Sequence, residues 1–281
     1  MSVLEALILG VVQGITEFLP VSSSGHLVLV QRVFGITDPA MAFNTAVHGG
    51  TLIAVIAVLW RDIWNLLRRI IQPLTLYIII GTIPTVIAAL LFRDLIESAF
   101  ATGAPLGAAF LITSALLIVS DRLYRRNGKP GGLPAKLDGP TPPRLQNEMT
   151  WIDALFIGLF QAVAIIPGIS RSGATISAAL SRRLDRDFAA RFSFLLSIPA
   201  ILGALVLHIN EFASIGAATG ERSIGLLPIL VGSVSAGIVG FFSVRFTIKI
   251  VRERSLLGFA LYTGILGILV LIDQFATNFF F

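Results

Sequence analysis

Long apolar runs separated by short polar punctuation set the pattern of this chain. Residues 42–60, 74–92 and 107–124 in the first half, and 192–209, 225–244 and 257–275 in the second, approach the roughly 20 apolar residues that cross a bilayer as a helix. Pro84 predicts a kink in the second of them. Two other apolar stretches are broken. The first begins apolar over 2–12, is interrupted by Gln13, Thr16, Glu17 and Pro20, turns through Ser22-Ser23-Ser24-Gly25-His26, and ends in a short apolar run to Val30. The second, over 151–181, breaks at Pro167-Gly168-Ile169-Ser170-Arg171-Ser172-Gly173-Ala174-Thr175. Each predicts two short helices around a polar turn, a re-entrant hairpin over 2–30 and another over 151–181. Irregular backbone survives at membrane depth only where it is buried in protein or lines a wet cavity.

The two broken stretches correspond. Gln161 stands 148 positions after Gln13, and the same offset carries Gly10 to Gly158, Ser22 to Ser170, Ser24 to Ser172 and Gly25 to Gly173. Later in each half the offset becomes 151: Ile80-Gly81-Thr82-Ile83 resembles Val231-Gly232-Ser233-Val234, and Gly107 falls on Gly258. The predicted organisation is a first repeat over 1–124, a polar Pro- and Gly-rich linker over 125–150 that reads as mobile, and a second repeat over 151–281. Each repeat holds one hairpin and three crossings. Three is odd, so the second repeat enters the membrane from the opposite side. The expected fold class is an all-α polytopic membrane protein built as an inverted-topology repeat, with the two broken elements meeting near the midplane, a plan common among transporters.

Composition points the same way. The 281 residues are 55% hydrophobic and only 13% charged, where soluble domains carry about 25% charged residues. The mean hydropathy is +0.87. The net charge of +5 sits in loops and reads as topology rather than nucleic-acid binding. Arg61, Arg68 and Arg69, the linker residues from Arg122 to Arg144, the run Arg182, Arg183 and Arg186, and the group Arg245, Lys249, Arg252 and Arg254 are expected on one side. The segments 31–40, 93–105 and 208–224, read as loops poor in Lys and Arg, are expected on the other side with both termini. Cysteine is absent, which excludes disulfides and thiolate chemistry. Met1–Glu5 lacks a basic n-region, so no removable signal peptide is expected.

Ionisable residues inside apolar segments are costly, and their default reading is functional. Arg171, among hydroxyls and glycines, offers a planar fork that matches phosphate oxygens. Gly168 and Gly173 let backbone N–H groups come close to a ligand. Ser170, Ser172 and Thr175 either line that pocket or cap the following helix. Gln13 and Glu17, four apart, share a helix face. Glu17 reads as a metal ligand or proton carrier, and oxygen ligands beside a phosphate point to Mg²⁺ or Ca²⁺ held by Glu17 and Gln13. Ser22, Ser23 and Ser24 either permit close helix contact or include a nucleophile, which needs a base; His26 lies two to four residues on. His48 and His208 lack comparable company and read as structural. Glu17 and Arg171 could also form an ion pair across the repeat interface, opening around a substrate.

Gln13-x-x-x-Glu17, followed by Phe18-Leu19-Pro20-Val21-Ser22-Ser23-Ser24-Gly25-His26, and the Pro167–Thr175 run closely resemble the two motifs of the bacterial undecaprenyl-pyrophosphate phosphatases of the bacitracin-resistance type. The resemblance covers motif order, length and hydropathy plan along the whole chain. It implies an integral membrane phosphatase that removes the terminal phosphate of undecaprenyl pyrophosphate and recycles the lipid carrier for peptidoglycan synthesis. It implies catalytic roles for Glu17, Ser23, His26 and Arg171, with Ser22, Ser24, Gly168, Ser170, Ser172, Gly173 and Thr175 around the substrate. In this family Glu or Gln occupies the Gln13 position, Thr often stands where Ser24 is, and Gln also occurs in the segment of His48, which is left out of the site. The implied partners are a polyisoprenyl pyrophosphate lipid and the membrane, with no nucleic acid; a homodimer is left open. The implied location is the bacterial inner membrane, with a site opening to the outer face. On architecture alone a transporter or flippase for an anionic or lipid-phosphate substrate competes, but it would need no nucleophile.

Overall fold

The structure, a computed structural model, describes residues 1–36, 41–128, 143–207 and 225–280. His208 lies outside them, as does residue range 129–142 of the expected linker. The described residues form an all-helical, multi-pass membrane protein. Helices α1 (Val3–Thr16) and α2 (Ser23–Val33) precede α3 (Met41–Val58), α4 (Trp60–Arg68), α5 (Pro73–Leu91), α6 (Arg93–Thr102) and α7 (Leu106–Gly128). The second half runs through α8 (Trp151–Val163), α9 (Arg171–Ser181), α10 (Arg186–Leu207), α11 (Leu226–Glu253) and α12 (Leu257–Ile272). Five spans among the described residues are long and apolar enough to cross a bilayer: Pro73–Leu91, Leu106–Arg125, Arg186–Leu207, Leu226–Glu253 and Leu257–Thr277. Helix α3 with α4, bent by 77°, makes a sixth if counted as one span. Helices α1 and α8, at 14 and 13 residues, rise only about 20 Å and fall short of a hydrocarbon core of about 30 Å.

The two short hairpins are built from the same local bonds. Ser2 caps α1 with Glu5 returning to its backbone, and Thr150 caps α8 with Asp153 doing the same. The Ser22 side chain accepts from Gly25 N–H at the start of α2, and the Ser170 side chain accepts from Gly173 N–H at the start of α9. Each cap satisfies an N–H that the first helical turn leaves unpaired. Packing repeats as well, crosswise: α1 lies against α11 and α8 against α5. A Cβ on Gly10 would stand 2.3 Å from the Gly232 carbonyl oxygen, and one on Gly158 would stand 2.3 Å from that of Gly81. Only glycine permits either approach.

Helix α9 sits at the centre, with every residue from Ser172 to Leu180 buried against α7, α8 and α10. Phe18 and Phe194 meet edge to face at 5.4 Å beside it. The outward faces carry exposed Ile53, Leu76, Ile79, Leu90 and Phe242, the surface that lipid covers.

Several expected loops are ordered helix. The stretch 93–105 contains α6, supported by an Arg93–Glu97 pair one turn apart and closed by Gly103 in the left-handed region. Arg61 and Arg68 belong to α4, whose Trp60 and Trp64 stack on each other. Helix α11 carries Arg245, Lys249 and Arg252 within its own last turns. Residues 143–150, expected in a mobile linker, are tied down: Arg144 N–H donates to Arg183 O, and Asp185 N–H donates to Arg144 O, both at 2.8 Å.

Buried acids gather the basic residues at one end of the bundle. Asp121, fully buried on α7, pairs with Arg125 and Arg186. Asp153, fully buried at the start of α8, pairs with Arg144 and Arg182. Asp62 of α4 pairs with Arg191 of α10. Burial raises the Asp153 carboxyl, but hydrogen bonds from Arg144, Arg182 and Thr150 outweigh it and hold the group at about 2.

Candidate active site

The turn after α1 and the turn before α9 meet. Gly168 N–H donates to Ser24 Oγ at 3.3 Å, and Ser172 Oγ donates to the Leu19 carbonyl at 2.9 Å. Arg171 and Glu17 form an ion pair between the two loops. Glu17 is 5% exposed, so this carboxylate is compensated from every side. Its Oε1 faces Arg171. Its Oε2 accepts from Ser23 Oγ at 2.6 Å and from Gln13 Nε2 at 2.8 Å, with His48 Nδ1 3.2 Å away. A buried carboxylate is tolerated at such cost only when paired and hydrogen-bonded.

A cavity of about 610 Å³ opens onto this cluster. Glu17, Ser23, Ser24, Ser170 and Arg171 line its polar part. Val86, Leu90, Ile96 and Phe100 of α5 and α6, with Ile201 and Leu205 of α10, make much of its apolar wall. A second, smaller apolar groove shares Val86 and Pro199 with it and continues along α5 past Ile83 and Ile79. A polar end joined to an apolar trough suits an amphiphile with a charged head.

The remaining expected residues are placed differently. Ser22, Gly173 and Ser170 are engaged in the caps at the starts of α2 and α9, although Ser170 also reaches the cavity. Thr175 is buried, 2.5 Å from Ser193 Oγ and donating to Arg171 O. Gly168 takes φ +95°, a conformation open to glycine, at the contact with Ser24. His26 does not reach Ser23. Its Nδ1 lies 2.6 Å from the Ser22 carbonyl and its Nε2 2.7 Å from Tyr262 Oη. A carbonyl only accepts, so Nδ1 carries a proton there. The ring thus braces Ser22, whose φ of +73° is strained for a residue with a Cβ.

Two residues outside the expected site join it. His48, read as structural, contacts Gln13 Nε2 at 2.9 Å, sits beside Glu17 and lines the cavity. Gln161 lines the same cavity from α8, bonded to Thr85 of α5. The repeat offered a signal for Gln161, since it matches Gln13; a lone histidine in an apolar crossing offered none.

Among the described residues no three His, Cys, Asp or Glu side chains cluster as a metal site. Glu17 supplies one carboxylate, and Gln13 Oε1 is buried without a hydrogen-bond partner among the described residues. One carboxylate and one spare amide oxygen make no protein cage. They do fit Mg²⁺ or Ca²⁺ that takes most of its oxygens from a phosphate substrate and water.

The profile described as "Bacitracin resistance protein BacA" matches residues 6–269. The undecaprenyl-diphosphatase of Carboxydothermus hydrogenoformans is 42% identical over 99% of this chain and 100% of that protein. Undecaprenyl-diphosphatase 4 of Bacillus thuringiensis subsp. konkukian is 42% identical with the same coverage. The undecaprenyl-diphosphatase of Methanosphaera stadtmanae is 37% identical over 97% of this chain and 98% of that protein. With the profile spanning nearly every helix and both loops of the cavity, the chain belongs to the BacA bacitracin resistance protein family.

Proposed function

We infer that this chain hydrolyses undecaprenyl pyrophosphate to undecaprenyl phosphate and inorganic phosphate, recycling the lipid carrier of peptidoglycan synthesis and conferring bacitracin resistance. The observation that carries the chemistry is the Ser23 hydroxyl donating to a buried carboxylate that also holds Arg171, at the polar end of an apolar cavity.

The pyrophosphate competes with Glu17 for the Arg171 guanidinium, whose fork binds phosphate oxygens in pairs. As Arg171 turns to the phosphate, Glu17 keeps the hydrogen bond from Ser23 and stands in place to take its proton. Ser23 Oγ attacks the terminal phosphorus and its proton passes to Glu17. The bond from that phosphorus to the bridging oxygen breaks, and undecaprenyl phosphate leaves with the electron pair and the proton that Glu17 took from Ser23, so Glu17 is a carboxylate again. Water then gives its proton to Glu17 and attacks the phosphoserine; Ser23 departs as the leaving oxygen and recovers a proton from Glu17. His26 serves as a brace for the Ser22 turn, not as the base expected from its place in the sequence. The Ser24 and Ser170 hydroxyls stand at the cavity as neutral donors near the phosphates, with Gly168 N–H holding the Ser24 oxygen. Phosphoryl transfer needs little beyond such positioning and charge stabilisation. Glu17 and the spare Gln13 oxygen would hold Mg²⁺ or Ca²⁺, which when bound neutralises phosphate oxygens.

The membrane arrangement belongs to the same proposal. The hairpins α1–α2 and α8–α9 are re-entrant, and the halves are inverted about the plane where Glu17 meets Arg171. The matched caps and the crosswise Gly10–Gly232 and Gly158–Gly81 contacts support this. By the positive-inside rule the arginine-rich end faces the cytoplasm of a bacterial inner membrane. Helix α10 starts at that end with Arg186 and reaches the cavity wall at its other end, near Leu207, so the cavity mouth faces outward.

Phosphate release from undecaprenyl pyrophosphate by purified protein in detergent, with and without a chelator, tests the reading. Metal-dependent release that disappears in Arg171→Ala supports it. Absence of release by folded wild-type protein with any divalent metal would sink it and favour a transporter.

A further inference from the structure

Gln161 is 1% exposed, lines the reactive cavity, and donates from Nε2 to Thr85 Oγ1 at 3.0 Å. Its Oε1 is buried and has no hydrogen-bond partner among the described residues. A buried carbonyl oxygen left unpaired costs roughly 1–3 kcal/mol.

The amide has a second orientation. Amide oxygen and nitrogen are close in size, and a threonine hydroxyl both donates and accepts. Turned over, Gln161 accepts from Thr85 through Oε1 and leaves its NH₂ group as an unspent donor in the cavity wall. The equivalent side chain in the first half has no such freedom. Gln13 Nε2 faces Glu17 Oε2 at 2.8 Å and His48 Nδ1 at 2.9 Å, so turning it would set a carbonyl oxygen against a carboxylate. The repeat therefore uses one glutamine to hold the base and leaves the other with a donor to give.

Resting on the phosphatase reading, we propose that Gln161 is a substrate-binding residue whose amide donates to the phosphate that remains on the lipid. Position argues for that phosphate. The terminal phosphate belongs at Ser23 and Arg171, where the bond is broken. Thr85, the partner of Gln161, begins the strip of α5 that continues as Val86, Ala89 and Leu90 along the apolar wall. Gln161 thus marks the boundary between head and tail, where the lipid-bearing phosphate must lie.

The test uses full-length protein in detergent, comparing wild type, Gln161→Leu and Thr85→Val. KM and kcat are measured with undecaprenyl pyrophosphate. Dissociation constants for undecaprenyl phosphate and for inorganic phosphate are measured directly. Gln161→Leu is expected to raise KM and the undecaprenyl phosphate constant about tenfold. The expected kcat stays within about threefold, and inorganic phosphate binding does not change. Thr85→Val, which removes the group that orients the amide, is expected to shift the same two constants about threefold. Constants within about twofold of wild type in both variants overturn the proposal, as does weaker binding of inorganic phosphate alone. Should Gln161→Leu not fold, Thr85→Val decides. The direct binding constants decide even if wild type releases no phosphate, an outcome that would sink the phosphatase reading separately.

Discussion

Ser23 Oγ donates to Glu17 Oε2 at 2.6 Å, joining a hydroxyl on α2 to an acid at the end of α1. In the proposed mechanism this bond makes Glu17, rather than His26, the base for Ser23. Ser23→Ala and Glu17→Gln should each lower kcat by about a thousandfold or more, and the double variant should be little worse than either single one, because the pair acts as a unit. Phosphate release gives the rates. Acid quenching with labelled substrate should trap a phosphoserine in wild type and none in Ser23→Ala.

His26 should behave as a brace. It holds the Ser22 carbonyl on one side and Tyr262 Oη on the other. His26→Ala releases a strained turn and should lower kcat by about tenfold to a hundredfold, while Tyr262→Phe costs less. The midpoints of the pH–rate profile should stay where they are in wild type. A profile that loses one limb in His26→Ala would restore the histidine as the base.

Arg171 combines charge with geometry. Arg171→Lys keeps the charge and loses the fork, so KM should rise about tenfold with the protein still folded. Arg171→Ala leaves the buried Glu17 without its arginine partner. It should reduce kcat/KM by about a thousandfold or more and lower thermal stability, since orphaning a buried charge costs about 3–5 kcal/mol. Melting followed by tryptophan fluorescence beside the activity assay separates the two losses.

The hydrophobic pattern made the helices and the two broken segments legible, because apolar length and its interruption are properties of one segment at a time. The Glu17–Arg171 pair was legible for a related reason: each is an ionisable group where none is comfortable, and each needs a partner. His48 was not. Its contact with Glu17 depends on α3 packing across α1, and no local pattern encodes that. Nearness in sequence also did not show where the Ser23 and His26 side chains make their contacts. Ser23 finds its acceptor six residues back, through the closure of the α1–α2 turn, while His26 is drawn to Tyr262 on α12. Helix α6 was hidden because its charges balance as they would in a loop; in the structure Arg93 and Glu97 pair one turn apart.

Asp153 gives the structure a dependence on acid that the chemistry of the site does not share. It lies at the charged end of the bundle, and with Arg144 and Arg182 it ties the end of the linker and the end of α9 to the start of α8. Its carboxyl is held at about 2, below the ordinary aspartate value of about 3.9. A carboxyl depressed on folding stabilises the fold above its unfolded value, and that contribution disappears as pH falls through the folded value. Melting temperature should therefore fall as pH drops from about 4 toward 2. The contribution is about 1–2 kcal/mol, because both arginines are partly solvated and screened. Asp153→Asn should melt lower at neutral pH and lose part of this acid dependence. An Asp153→Asn protein with the wild-type melting curve at every pH would show that the two arginines add nothing to stability.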